Sequence, residues 1–389
     1  METEFNFTFG SKFCKTLIQT KLPSINDLIR AFKLENSAER QIVIVCDSNT
    51  AGLAGAIAED RKIPVLVLES GEKSKTWDTI QEILKAGLSA GLGRDGIFIG
   101  VGGGVTGDLT AFAASIYMRG ARLCLVSTTL LGMVDAVLGG KTGIDLFGLK
   151  NLAGSFFPAE LVVLPLSALD TLPENEFKSG MAELIKTAVL ASDDFLELIK
   201  KLIKLEKEES RKSRAYQECL SECISRAIAF KGKIVEEDPF ETGNRRILLN
   251  LGHSFGHALE AAAGLGALSH GEAVAWGMAR ACELGVILGI TPSSRAAEIS
   301  EILSNYGFET KVPHPLASRT DTQEAMMKAI SRDKKNAGKI LRFVVPGEKS
   351  AVTVSAENNH LLQGEEGEKL IYKIMNGEHP WEVSWEVSL

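Results

Sequence analysis

The chain has 389 residues, 45% hydrophobic and 24% charged, the balance of a globular protein with room for two separately cored domains. Its net charge of -7 argues against nucleic acid or an anionic membrane as the main partner, so a local group of Lys and Arg should meet a small anion. No apolar run reaches transmembrane length, and the polar, acidic start METEFNFTFGSKFC lacks the basic-then-apolar plan of a signal peptide; the expected location is the cytoplasm.

In chain order, residues 1–170 alternate short apolar runs with helical ones. RQIVIVCDSN, PVLVLESGE, GIFIGVGGG, RLCLVSTT and ELVVLPL are each ended by Gly, Ser, Asp or Pro. Continuous runs of that kind fit strands buried on both faces of a parallel sheet, and helical segments such as KTWDTIQEILKAGLSAGL give βαβ logic. From DTLPENEFKSGMAELIKTAVL onward the pattern turns helical, and the capping-box spacing of Thr171 and Glu174 predicts a helix start near Pro173. The expectation is a Rossmann-like α/β parallel-sheet domain over 1–170 and an all-α or mainly helical domain over 171–389. KKLIKLEKEESRKSRAY (200–216) predicts a solvated helix face, and Trp381 and Trp385 in the tail (364–389) read as packing residues. Six scattered cysteines form no CxxC pair, which fits reduced thiols.

Gly102, Gly104 and Gly107 spell GxGxxG with a strand before and a helix after, a turn in which backbone N–H groups can approach a pyrophosphate. The motif follows the third apolar run instead of the first, and no acid stands about twenty residues later; a tight turn without ligand is the competing explanation. Asp47, ending the first run, offers a carboxylate to ribose hydroxyls and would repel a 2′-phosphate, which favours NAD over NADP. Downstream, Asp135, Lys141, Lys150 and Asn151 fall among glycines, in a run unsuited to a regular helix or a core strand. Glu183 and Lys186 stand three apart amid apolar neighbours, and a buried acid and amine both need partners.

LLNLGHSFGHALE then puts His253 and His257 four apart on one helix side, where they can hold a metal, contact a substrate or fill a helix face. His270 follows in LSHGEAVAWGM, and with Glu183 and His253 it can make the two-histidine, one-carboxylate set of a catalytic zinc site.

With these residues in view, the chain resembles the 3-dehydroquinate synthase family. The stretches that carry the likeness are GEKSK, GGGVTGDLTAFAASIYMRG, STTLLGMVDAVLGGKTGI, KNLAGSF, TLPENEFKSGMAELIK, LLNLGHSFGHALE, LSHGEAVAWGM and RDKKNAGKILRFVVP, spread over most of 40–350. The resemblance implies an NAD- and Zn²⁺- or Co²⁺-dependent lyase of the shikimate pathway. Its substrate would be 3-deoxy-D-arabino-heptulosonate 7-phosphate, cyclised to 3-dehydroquinate with loss of phosphate. It implies Glu183, His253 and His270 as metal ligands, with His257 facing substrate. Lys141, Lys186, Lys231, Arg246 and Lys334 or Lys335 resemble clamps for the substrate's anionic groups, with Asp135, Asn151 and Asn250 beside them. For NAD the resemblance implies Asp47, Asn49, Glu72, Lys75, Gly103, Gly104, Val105, Asp108, Thr128 and Thr129, joined by Asp135, Lys141 and Lys150. Arg119 resembles an arginine that reaches a neighbouring subunit, which implies a homodimer.

The chain departs from the family pattern at several points. Ala136, Val137 and Leu138 replace a serine-containing run, Asp145 stands where an Asn is usual, and Leu149 where a Gly is usual. SFFP is one residue short, and TGNRRILLN has one residue extra, so Arg246 matches the family arginine only if Arg245 is the insertion. The rival readings are a cyclase acting on sedoheptulose 7-phosphate or another sugar phosphate, a metal-dependent polyol dehydrogenase, and an NAD-binding regulatory protein.

Overall fold

A computed structural model describes residues 2–32, 41–59, 62–264, 266–312, 314–317, 320–336 and 342–377. The side chains of Lys334 and Lys335, and the tail tryptophans Trp381 and Trp385, lie outside what it describes. Contacts divide the chain into two units: Met1–Gly180 with Ile224–Thr242, and Met181–Cys223 with Gly243–Leu389.

The first unit holds β1 (Glu2–Phe9), β2 (Lys12–Gln19), α1 (Ile25–Ala31), β3 (Ile42–Asp47), α2 (Ala51–Ala58), β4 (Val65–Leu68) and α3 (Trp77–Ser89). It continues through β5 (Ile97–Gly102), α4 (Gly104–Ile116), β6 (Arg122–Ser127), β7 (Lys141–Leu146), β8 (Leu149–Phe156) and β9 (Leu161–Pro165). Seven strands form one sheet in the order β1-β2-β9-β6-β5-β3-β4, parallel throughout except for β1. The apolar runs became strands for the expected reason. β5 and β9 are buried along their whole length, and Ile44, Ile99, Val126 and Val163 join Ile25, Leu28 and Ile57 of the flanking helices in one core.

Register sets the site. Cys46 pairs with Val101 and Gly102 with Ser127, so Asp47, the glycine turn and Thr128 line up at the carboxyl edge of the sheet. The chain steps from β3 outward to β4 and returns to β5 on the other side of β3. That reversal is a topological switch point, where open α/β sheets bind ligands.

Two hairpins of this unit were not expected. β1 and β2 pair antiparallel around Gly10 (φ 63°), with Phe5, Phe7 and Phe9 stacked along one face. β7 and β8 make a separate two-stranded sheet from the glycine-rich run. Its turn puts Phe147 (φ 54°) and Gly148 (φ 75°) in the left-handed region, which leaves Leu149 an ordinary strand residue.

The second unit contains the C-terminal part of α5 (Glu174–Ala191), then α6 (Asp193–Glu208) and the first part of α7 (Arg214–Glu237). α8 (His253–Ala263), α9 (His270–Ile287), α10 (Ser293–Asn305), α11 (Thr320–Asn336), β10 (Arg342–Pro346), β11 (Ala351–Ser355) and α12 (Gly364–Asn376) complete it. It is helical as expected, with one correction to an all-α description: β10 and β11 form an antiparallel hairpin. α5 starts one residue after Pro173, although the Thr171 hydroxyl donates to the Ala168 carbonyl instead of capping it. α6 buries Phe195, Leu196, Ile199, Leu202 and Ile203 and leaves Lys201, Lys204, Lys207 and Glu208 outside, while Glu206 is partly buried and pairs with Arg211.

Candidate active site

In the second unit, α5 is buried around its whole circumference from Met181 to Thr187, and this enclosed turn carries an acid and an amine. Glu183 is 0% exposed and Lys186 1%, and their charged ends form an ion pair. Burying two charges is tolerated only when each is compensated. Glu183 faces more than its lysine: His270 Nε2 lies 3.3 Å and His253 Nε2 3.6 Å from its Oε1.

Local sequence explains that convergence. Gly252 (φ 80°) turns the chain so that His253 is the first residue of α8. Ser269 and Glu272 form a capping box that makes His270 the first residue of α9. Two helix N-termini therefore stand beside one carboxylate, the favourable end of each dipole for a negative charge. Glycines let α8 and α9 touch backbone to backbone. A Cβ on Gly256 would lie 2.8 Å from the Ala273 carbonyl oxygen, and one on Gly252 2.8 Å from that of Val274.

The electrostatics follow from burial. Burial raises the Glu183 pKa, but the Lys186 ammonium, with His270 and His253, overcomes it and holds the carboxyl well below its usual range. Burial, reinforced by Lys186, pushes His253 down to about 3. For His270, burial works downward too, but the Glu183 and Glu260 carboxylates override it and carry the ring up to about 10. Both Glu183 oxygens are buried, one against the Lys186 ammonium and the other facing the two imidazoles, and the ligand atoms of Glu183, His253 and His270 lie within 4.8 Å of one another. One acid oxygen and two imidazole nitrogens in that space are a zinc-type donor set.

His257 is exposed, one turn beyond His253, with ring centroids 5.2 Å apart. It falls in a second group, with Glu260 and His270. Arg246 is 3% exposed and opens the short turn ending at Asn250, while Arg245 is exposed.

In the first unit the predicted residues gather into three knots. At the switch point, Asp47 Oδ1 accepts from the Asn49 and Thr50 amides at 2.9 and 3.0 Å, and Oδ2 accepts from the Thr106 hydroxyl at 3.0 Å. Gly103 caps α4 at the glycine turn, next to Gly104 and Val105. A Cβ on Gly103 would sit 2.9 Å from Thr129, and one on Gly102 2.6 Å from Thr106. Gly107 faces open space, in a concavity that it lines with Gly104, Asp108, Ala136, Gly140 and Lys141.

The second knot surrounds Lys75, which is buried and donates to Asp108 (2.7 Å) and to Asn151, with Glu72 3.9 Å away. Burial raises the Asp108 pKa against the pull of Lys75. Asp145 belongs to this knot: its N–H donates to the Lys75 carbonyl, and its Oδ1 accepts from the Asn151 N–H, both at 2.8 Å. Its carboxylate serves the hairpin, which holds Asn151 at φ 51°.

In the third knot Lys231 donates to Asp135 Oδ1 at 2.6 Å, and Lys141 pairs with Glu241, also at 2.6 Å. Lys150, Asn49 and Arg119 are exposed and Thr128 is buried. Sequence reasoning missed Thr106, Glu241 and Glu260. Thr106 lies inside the glycine motif and Glu260 seven residues after His253, on the same helix side, so spacing held a signal for both. Glu241 is one acid among several in EEDPFETG and carried none.

Comparison with known proteins agrees with this geometry. Residues 65–179 match the 3-dehydroquinate synthase N-terminal family model, and 180–336 the C-terminal one. The 3-dehydroquinate synthase of Rhodopirellula baltica is 39% identical over 285 residues, 73% of this chain and 73% of the relative. Among solved structures, 2-deoxy-scyllo-inosose synthase, complexed with carbaglucose-6-phosphate, NAD⁺ and Co²⁺, superposes with a TM-score of 0.77 at 22% identity, covering 96% of this chain and 99% of that one. ValA, a 2-epi-5-epi-valiolone synthase from Streptomyces hygroscopicus with NAD⁺ and Zn²⁺ bound, gives 0.76 at 23% identity, covering 94% and 97%.

Proposed function

The chain belongs to the 3-dehydroquinate synthase family, and from that premise we propose that it converts 3-deoxy-D-arabino-heptulosonate 7-phosphate to 3-dehydroquinate and phosphate, using NAD and a divalent metal. The observation that carries the proposal is the convergence of Glu183, His253 and His270 in a chain whose curated relatives are named for that cyclisation. The residues fit an ion such as Zn²⁺ or Co²⁺: a fully buried carboxylate is costly, and a cation shared with the two imidazole nitrogens that face its Oε1 relieves it. Held by Glu183, His253 and His270, such an ion would supply Lewis-acid polarisation of a substrate hydroxyl, and NAD bound at the glycine turn would supply reversible hydride acceptance.

The rest falls to the chain's own groups. Glu183, His253 and His270 would hold the ion, and Lys186 offsets the buried carboxylate charge. Arg246 offers a planar fork to the substrate carboxylate, with Asn250 and His257 as hydrogen-bonding neighbours and Lys334 or Lys335 as a further cation. The N-terminus of α4, entered through Gly103, Gly104 and Val105, would bind the NAD pyrophosphate. Asp47, Asn49, Glu72, Lys75, Asp108, Thr128, Thr129 and Lys150 would serve the remainder of that cofactor. Lys141, Asn151 and Lys231 meet phosphate as point charges or donors, and Glu241 and Asp135 hold the two lysines in place until it arrives. Asp145 does not oppose that role, because its Oδ1 is engaged by the Asn151 N–H.

The proposal includes a homodimer, supported by Arg119 standing exposed next to exposed Ile116 and Met118. It includes the cytoplasm, supported by six free cysteines.

The test is a phosphate-release assay on purified protein with NAD and Zn²⁺ or Co²⁺. Phosphate should appear from the heptulosonate phosphate with no lasting rise in NADH. Steady NADH from a simple polyol, or phosphate only from sedoheptulose 7-phosphate, would overturn it.

A further inference from the structure

The two imidazoles of the cluster are held alike at one nitrogen and differently at the other. Each turns Nε2 toward Glu183. His253 Nδ1 lies 3.2 Å from the Leu251 carbonyl oxygen, a neutral acceptor. His270 Nδ1 lies 3.7 Å from Glu260 Oε1, an electrostatic contact with a full negative charge. Glu260 is half-buried on α8, seven residues after His253, so one helix side presents a candidate metal ligand and, two turns on, a carboxylate aimed at the back of the other.

We infer that Glu260 is a positioning residue for the metal site: it holds the proton of His270 on Nδ1 and leaves Nε2 free to bind the ion. This deepens the metal reading above and rests on it. A neutral imidazole that ligates through Nε2 must carry its proton on Nδ1 and needs an acceptor there. A carboxylate in that position fixes ring and tautomer and makes the ligating nitrogen more basic. His257, Glu260 and His270 also form a group compact enough for an ion of their own. With Nε2 already committed, His270 could join that group only as an imidazolate, so the geometry favours Glu260 as acceptor over Glu260 as ligand.

The test is metal affinity, measured by chelator competition with Zn²⁺ on the full chain at fixed pH, beside ion stoichiometry and the visible spectrum of the Co²⁺ form. Glu260→Ala should weaken Zn²⁺ binding roughly 10- to 100-fold and alter the Co²⁺ spectrum, while stoichiometry stays at one ion per chain. Activity of that variant should return as Zn²⁺ is raised. Glu260→Gln, which keeps the shape and a neutral acceptor, should fall between the two and remains informative if the alanine variant does not fold. Unchanged affinity in a folded variant, or a wild-type stoichiometry of two ions that drops to one, would overturn the inference. If wild type and Glu183→Ala alike bind no ion, the metal reading itself has failed, a result distinct from either.

Discussion

The glycine turn of the first unit and the Glu183 cluster of the second are built on opposite plans. At the turn nearly every polar side chain is already engaged: Asp47 by two amides and Thr106, Lys75 by Asp108 and Asn151, Lys141 by Glu241. What it offers a ligand is space and backbone. At Glu183, backbone contributes the frame, and the buried carboxylate is met only by the Lys186 ammonium and two imidazole nitrogens, the donor set a cation would join. A satisfied site stands ready without its ligand; a buried carboxylate that lacks its cation costs stability until one comes.

The largest break in that contrast should come from Glu183→Ala. It removes a proposed metal ligand and the ion-pair partner of the Lys186 ammonium, which is 1% exposed, so bound metal and turnover should vanish and stability should fall by about 3–5 kcal/mol. Adding Lys186→Met should recover much of the stability and none of the metal, read by denaturant titration and elemental analysis. If the double variant is no more stable than the single one, the buried pair is not the source of the cost.

Next in size is Gly277→Ala. A Cβ there would overlap the Gly252 carbonyl oxygen, which is backbone and cannot rotate away. Forcing α8 from α9 should cost about 3 kcal/mol and loosen the metal, since His253 and His270 open those two helices. Gly102→Ala is milder, because its Cβ would meet the Thr106 side chain and not a carbonyl: the hydroxyl can turn at the loss of its bond to Asp47, but the Thr106 Cβ, 2.6 Å away, yields only if the first turn of α4 shifts. A stability loss of about 1–2 kcal/mol and NAD binding weakened roughly tenfold, by fluorescence titration, are expected, with metal content unchanged. An NAD affinity that does not move would show that the turn is only structural.

The same contrast governs what the sequence made legible. The buried strands showed as unbroken apolar runs, and His253 and His257 as helical spacing, because both signals are local. The N-terminal hairpin is a local signal too, since Phe5, Phe7 and Phe9 alternate with polar residues ahead of Gly10. The β7–β8 hairpin hid because Phe147-Gly148 lacks the usual Asn-Gly turn chemistry. The Lys141–Glu241 and Lys231–Asp135 pairs join residues about a hundred positions apart, so no window of sequence contains them. Such pairings are set by topology: residues 224–242 of α7 and its exit belong to the first unit although the flanking chain does not. Donor types at the metal cluster could be read early; which side chains at the turn were already spent could not.

The smallest effect sharpens the comparison from within the second unit, away from the cluster. Glu283 on α9 is largely buried, 3.4 Å from the Arg280 guanidinium, and burial outweighs that arginine to push its carboxyl up to about 7. The folded chain thus holds a proton here up to about pH 7, whereas the unfolded chain releases it near the ordinary value of 4.5. The contribution to stability is complete below pH 4.5 and is lost as pH rises through 7. Glu283→Gln stays neutral, so between those limits the wild type should lose a few degrees of Tm relative to the variant, in parallel scans across pH. A constant difference would mean that Glu283 is ionised throughout, paired with Arg280, and that buried charge in this unit is compensated without a proton as well as without a metal.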